Sequence, residues 1–225
     1  MLFLLNLNTR EFGSFNTKNI SVRTSSTTGP YFTKEKEAVG LDNIKLDPFY
    51  IAGLSDGEAT FTISIIKDKR ERSTARRVKL IEGVAVRRGD IYNFHPSFSI
   101  SLNIKDIELV YLLQSFFGVG NIKRDLSNNA ITYYVNSVVD LNSVIIPFFD
   151  KYRLISQKQA DFSLFKSAIK IISQGQHLTD EGLAKIISIK ASMGKGLSEK
   201  LLTNFPDLVT VDRPKVLNQE ISHNF

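Results

Sequence analysis

The 225-residue chain has no cysteine, which excludes a disulfide framework, a cysteine-ligated zinc and a cysteine nucleophile together. Histidine is nearly as scarce. His95, His177 and His223 stand far apart with no i, i+4 pair, so a histidine-built metal site has no material, and any bound metal must be a hard ion held by oxygen. Long apolar runs are missing too: the opening run Leu2 to Leu5 is too short to span a bilayer and carries no signal-peptide cleavage pattern, so no membrane segment is expected.

What is present suits a folded domain. Hydrophobic residues make up 42% and charged residues 23% of the chain, enough for a real core. The formal net charge is +6, which makes a polyanion a reasonable partner. Residues 67 to 88 hold nine Lys or Arg against Asp68, Glu71 and Glu82, so this stretch alone carries an excess equal to that of the whole chain. A solvated surface loop is the plain alternative for such a run.

Residues 1–46 differ from the rest, with Ser, Thr and Asn around Ser21 to Thr28 and a Gly29-Pro30 break. Arg10, Lys18 and Arg23 among hydroxyls suit a mitochondrial presequence, whereas Glu11 and a weak amphipathic period suit a fusion remnant; either way a leader is expected here. The first firm element opens at Asp47-Pro48, where Asp can cap orphan amides and Pro is pre-set for the first helical turn. The helix continues with Gly53 and Gly57 on one row and Ala52 and Asp56 on the next. Two glycines in a short helix cost roughly 1 kcal/mol each relative to alanine, an expense that close contact with another helix would offset.

After Glu58 the period turns from helical to alternating. Thr60, Thr62 and Ser64 form a polar row against Phe61, Ile63 and Ile65, and Phe98 to Asn103 repeats the pattern with Ser99, Ser101 and Asn103. Helical spacing runs from Asp106 to Phe117 and stops at Gly118-Val-Gly120; 121–125 and 130–135 flank Ser127-Asn128-Asn129 as a hairpin. Helices are expected over 141–149, 157–173 and from Thr179-Asp180-Glu181 to Met193. The order α-β-β-α-β-β-α-α predicts an α+β domain over 47–205, with helices on one face of an antiparallel sheet and a polar face left open. Residues 206–225 are expected as linker or tail.

Ile51-Ala-Gly-Leu-Ser-Asp-Gly-Glu-Ala59 resembles the LAGLIDADG motif of homing endonucleases, and Leu102-Asn-Ile-Lys-Asp106, Phe117-Gly-Val-Gly120, Gln157-Lys-Gln159 and Thr179-Asp-Glu-Gly-Leu183 resemble family landmarks in the expected order. The resemblance covers residues 47 to about 205. It implies a homing-endonuclease-like αββαββα(α) fold with a saddle-shaped sheet. It further implies that Glu58 is catalytic and binds Mg²⁺ at the scissile phosphate, a role that suits a cation taking one or two carboxylates, water and phosphate oxygens. Alone, Glu58 would read as an exposed helix-end acid. Lys158 stands where the family often places a basic residue near the active site, and a surface lysine opening a helix is its plain alternative. Asp56, two residues from Glu58 along the helix, is expected at the helix interface with Ala52, Gly53 and Gly57.

Double-stranded DNA is the implied partner. Thr60, Thr62, Ser64, Ser99, Ser101 and Asn103 would face the groove, and Arg70, Arg72, Arg76 and Arg77 would meet phosphates or guanines. Ala59 stands where the family usually has glycine, which narrows backbone freedom at the helix exit. A single motif is present, so a second LAGLIDADG lobe must come from a homodimer or from another chain or repeat; 204–225 resembles the linker to a second repeat. The expected function is site-specific cleavage in intron or intein homing, with the mitochondrion as location. An RNA maturase acting on intron RNA and an inactive half-enzyme are the alternatives.

Overall fold

The computed structural model describes residues 44–67, 78–81, 84–87, 92–194, 196–205 and 208–216. Helix α1, Pro48–Glu58, begins where sequence chemistry places it: the Asp47 carboxylate accepts hydrogen bonds from the amides of Phe49 (2.7 Å) and Tyr50 (3.2 Å). The chain then turns into β1, Ala59–Lys67, and after the hairpin strands β2, Val78–Ile81, and β3, Val84–Arg87, into β4, Tyr92–Asn103. Next come α2, Ile107–Phe117, and the hairpin β5, Asn121–Asp125, with β6, Ala130–Val135.

The four long strands form one antiparallel sheet in the order β1-β4-β6-β5, while β2 and β3 pair separately with each other. β1 lies antiparallel to β4 over nine pairs, from Ala59 opposite Ile100 to Lys67 opposite Tyr92. α2 ends at Gly118 (φ 66°), and Gly120 (φ 87°) admits no side chain, since a Cβ there would lie 2.7 Å from the Tyr133 ring.

A helical stretch follows in three pieces: α3, Val138–Asp140, a π-wound turn, Leu141–Ile145, and α4, Ile146–Lys151. The chain continues with α5, Lys158–Ser173, α6, Asp180–Ser192, and α7, Glu199–Asn204. α6 is capped by Thr179, whose Oγ1 accepts from the Gly182 amide at 3.0 Å.

The α+β expectation holds, with three differences. The β2–β3 hairpin lies in the basic stretch read as a loop, because Lys79 and Arg87 obscure two runs otherwise built of β-formers. β4 begins six residues before Phe98 despite Pro96; β6 pairs only with Phe98 to Asn103, so at Pro96 β4 has a neighbour on one side alone. α7 was not expected. At the margins, Leu46 packs on the core although it falls in the expected leader; residues 1–43 lie outside the described residues.

The apolar sheet face, including Phe61, Ile63, Phe98, Ile100, Ile131 and Tyr133, packs with Val110 and Leu113 of α2, Phe149 of α4 and Phe162 and Phe165 of α5. Phe61 is the hub, its ring centroid 5.2 to 5.5 Å from those of Phe98, Phe149, Phe162 and Phe165. Burying a side chain of this size stabilises by about 1.5–3 kcal/mol, so the cluster fixes α5 on β1. Among the described residues no helix is long and apolar enough to cross a membrane.

Candidate active site and nucleic-acid face

α1 delivers Glu58 to the edge of the sheet. Its outer row is bare among the described residues: Gly53 and Gly57 are exposed, and a Cβ added to either would meet none of them within 4 Å. Ala52, expected on the same interface, is buried within the chain at 6% exposure. Asp56 has both carboxylate oxygens engaged inside the chain: Oδ2 accepts from the Ile155 amide at 2.7 Å, and Oδ1 from the Ser156 amide (3.2 Å) and hydroxyl (2.7 Å). That fixes the end of α1 against the loop before α5.

Glu58 itself is exposed, and among the described residues no neighbour holds its carboxylate. An acid at a helix C-terminus faces the negative end of the helix dipole, which makes the position costly without a cation nearby. Lys158 supplies one: its Nζ donates to the Gly57 carbonyl at 2.9 Å, satisfying a helix-end carbonyl next to Glu58. Ala59 adopts φ −76° and ψ 154°, ordinary extended backbone, so the exit from α1 makes no demand for glycine.

Beside Lys158 a cavity of about 200 Å³ is lined by Thr60 and Thr62 of β1, Asp161 of α5, Lys190 of α6 and Gly194, among others. Lys190 reaches the Thr62 hydroxyl at 3.5 Å. Sequence reading missed Lys190, which looks like any polar residue on the amphipathic helix α6; only the packing of α6 by β1 brings it here.

The six expected sheet residues share the face opposite the core. Strand register aligns Thr60, Ser99, Tyr134 and Asn121 in one row, Ser101, Thr132 and Lys123 in the next, and pairs Thr62 with Ser97 and Ser64 with His95. Ser64, Ser101 and Asn103 are exposed, while Thr60, Thr62 and Ser99 are half-buried. Three of these polar groups have local work: Ser101 and Thr132 share a hydrogen bond at 2.9 Å, Asn103 Oδ1 accepts from the Lys105 amide at 3.0 Å, and Thr62 accepts from Lys190. His95, Ser97, Thr132, Tyr134 and Lys123 were not singled out. Alternation in 92–97 would have found the first two had Pro96 not interrupted it. Arg70, Arg72, Arg76 and Arg77 lie outside the described residues.

The described geometry is that of an α+β domain with one bare polar sheet face and, at its edge, a helix-borne acid set beside a row of glycine. The chain belongs to the LAGLIDADG endonuclease family, whose sequence pattern matches residues 51–169. It is 36% identical over 184 residues to "Probable intron-encoded endonuclease 3" of Neurospora crassa, covering 81% of this chain and 31% of that protein. It is also 36% identical over 136 residues to a 50.9 kDa protein in ND4 intron 1 of Podospora anserina, covering 60% of this chain and 26% of that one. Among solved structures, I-SmaMI bound to uncleaved DNA target in the presence of calcium ions superposes with TM-score 0.66 at 35% identity, covering 79% of this chain and 55% of that one. I-CpaMI bound to uncleaved DNA gives 0.66 at 33%, covering 78% and 54%. The chain thus spans about a third of the curated relatives and about half of the solved neighbours.

Proposed function

We propose that this chain forms one lobe of a site-specific DNA endonuclease of the intron-homing kind, with Glu58 as its metal-binding acid and Lys158 as the adjacent cation. The observation that carries the reading is the Glu58 carboxylate, without a partner among the described residues, at the end of a helix whose glycine row is open among those residues. Glycine at 53 and 57 costs helix stability and meets no neighbour among the described residues, which suits a face completed by a second LAGLIDADG lobe. The polar sheet face, extended by His95, Ser97, Thr132 and Lys123, is suited to the edges of bases in the major groove of double-stranded DNA.

For the metal, Mg²⁺ fits the donor chemistry. Glu58 offers a hard, exposed carboxylate, and no group of three or more acidic or histidine side chains occurs among the described residues, so the other ligands come from phosphate, water and the second lobe. When bound, such an ion lowers the pKa of attacking water and offsets charge on the phosphate. The chain's own residues do the rest. Glu58 orients that centre from the helix end, Lys158 supplies positive charge where negative charge grows, and the sheet fixes the register of the duplex. The relatives named as intron-encoded, one in an ND4 intron, support a mitochondrial setting.

The test is selection of cleaved duplexes from a randomised DNA library with Mg²⁺, with Ca²⁺ and with Glu58→Gln, using this chain alone and joined to a second lobe. A defined duplex cut only with Mg²⁺ and intact Glu58 supports the reading. A library left uncut by the paired lobes overturns it.

A further inference from the structure

Residues 208–216 run without helix or strand past the start of α5 and the end of α6, and are tied down there. The Val211 carbonyl accepts from the Ser192 hydroxyl at 2.6 Å, and Val211 packs on the main core. Two residues on, Arg213 spreads its guanidinium over three acceptors. Nη1 donates to Asp161 Oδ1 at 2.7 Å and to the Ser192 carbonyl at 2.9 Å, and Nη2 donates to the Gln157 carbonyl at 3.1 Å. Asp161 Oδ1 also accepts from the Gly194 amide at 2.9 Å, so the ion pair closes the junction between α5 and the segment after α6.

The Gln157 carbonyl belongs to the same peptide group as the Lys158 amide. That amide donates to the Ser156 hydroxyl at 3.2 Å, which in turn donates to Asp56. One peptide plane is therefore gripped at both ends, by Asp56 of α1 through Ser156 and by Arg213 of the downstream segment. From this plane the Lys158 side chain reaches the Gly57 carbonyl. Gln157 has no side-chain cap of its own at the start of α5; the grip adds to the backbone bonds of this turn, in which the Gln159 amide donates to the Ser156 carbonyl at 2.9 Å and the Ala160 amide to the Gln157 carbonyl at 3.1 Å. A planar guanidinium holds its donors in a fixed fork that spans these acceptors, whereas a lysine ammonium gathers its three donors at one point on a flexible stem.

We propose that Arg213 is a positioning residue for Lys158, making the segment 208–216 a support of the proposed cleavage centre. The inference rests on the role proposed above for Lys158. A displacement of the order of an ångström at a catalytic group lowers rate by one to two orders of magnitude without changing affinity, and this is the signature to seek.

The experiment compares full-length Arg213→Ala, Arg213→Lys, Lys158→Ala and Arg213→Ala/Lys158→Ala, each joined to a second lobe, on the duplex recovered by selection. Arg213→Ala is expected to slow cleavage of bound duplex about tenfold, with affinity measured in Ca²⁺ within about twofold, and Arg213→Lys to recover part of the loss. In the Lys158→Ala background, Arg213→Ala should add nothing. Independently of catalysis, amide exchange at Lys158 and Ala160 should rise about tenfold in Arg213→Ala without metal or DNA, while exchange in β4 and β6 stays unchanged. Unchanged exchange at 158 and 160, or a rate loss of equal size with and without Lys158, overturns the inference and leaves the Glu58 reading standing. Parental cleavage by Lys158→Ala removes the assigned role of Lys158, and the inference falls with it.

Discussion

The carboxylate of Asp56 reaches across 100 residues of sequence to Ser156, accepting from both its amide and its hydroxyl and from the neighbouring Ile155 amide. The first acidic residue of the motif thereby acts as a staple between α1 and the loop before α5. Replacing Asp56 by Ala leaves two amides and a hydroxyl without this acceptor and is expected to lower stability by about 1–3 kcal/mol in urea unfolding. Asp56→Asn retains one acceptor oxygen and should lose less. A stability equal to the parent in Asp56→Ala would show that the staple carries no strain-free load in solution.

The open glycine row makes a prediction of opposite sign. Gly57→Ala should stabilise the isolated chain by about 0.5–1 kcal/mol, because the helix gains propensity and the methyl meets no neighbour. Gly53→Leu and Gly57→Leu should likewise fold, yet lose association with a second lobe, read by sedimentation equilibrium alongside urea unfolding. Misfolding of Gly57→Leu as an isolated chain would mean that this face is already covered.

Phe61 is the residue through which the sheet holds α4 and α5. Phe61→Ala is expected to cost about 3–5 kcal/mol, with the loss visible as a lowered urea midpoint. Leu126, 76% exposed at the β5–β6 hairpin, offers the contrast: Leu126→Ala should change stability by no more than about 0.5 kcal/mol.

Tyr133 gives the chain an alkaline limit. Its ring is fully buried and its phenol donates to the Val119 carbonyl at 2.9 Å; burial, with the Asp140 charge adding, pushes its pKa well above the ordinary tyrosine value. The neutral phenol is the form the fold favours. Its contribution is therefore complete below the unfolded-state value near 10 and declines as pH rises beyond it toward the higher folded-state value. Phenolate absorbance at alkaline pH should show one tyrosine fewer ionised in the folded than in the unfolded chain. Tyr133→Phe should remove that difference, flatten the alkaline loss of stability, and cost about 1–3 kcal/mol at neutral pH by leaving the Val119 carbonyl without its donor.

Local chemistry made much of the fold legible. Asp47-Pro48 marks the helix start by capping, the Thr60-Thr62-Ser64 alternation marks a strand with one buried face, and Gly118 marks the helix stop through its left-handed backbone. Reading failed where tertiary contact overrides the local signal. Pro96 is tolerated because β6 does not extend beside it, and the β2–β3 runs carry basic residues that mimic a solvated loop. In the site, Glu58 could be singled out by its place in the motif. The spacing from Glu58 to Lys158 or Lys190 says nothing of proximity, and Arg213 carries no local pattern that would tie it to Lys158. Asp56 was expected at the helix interface, and the acceptor role it has here depends on a loop a hundred residues away that helical geometry does not reveal.

The β1–β4 ladder begins beside Glu58, at Ala59 opposite Ile100, and ends at Lys67 opposite Tyr92. At about 3.3 Å per residue its two ends are roughly 26 Å apart. The Lys67–Tyr92 end of the ladder is thus far from the acid. On the reading proposed above, substitutions at the Lys67–Tyr92 end of the ladder would alter contacts to DNA while Glu58 at the other end stays as it is.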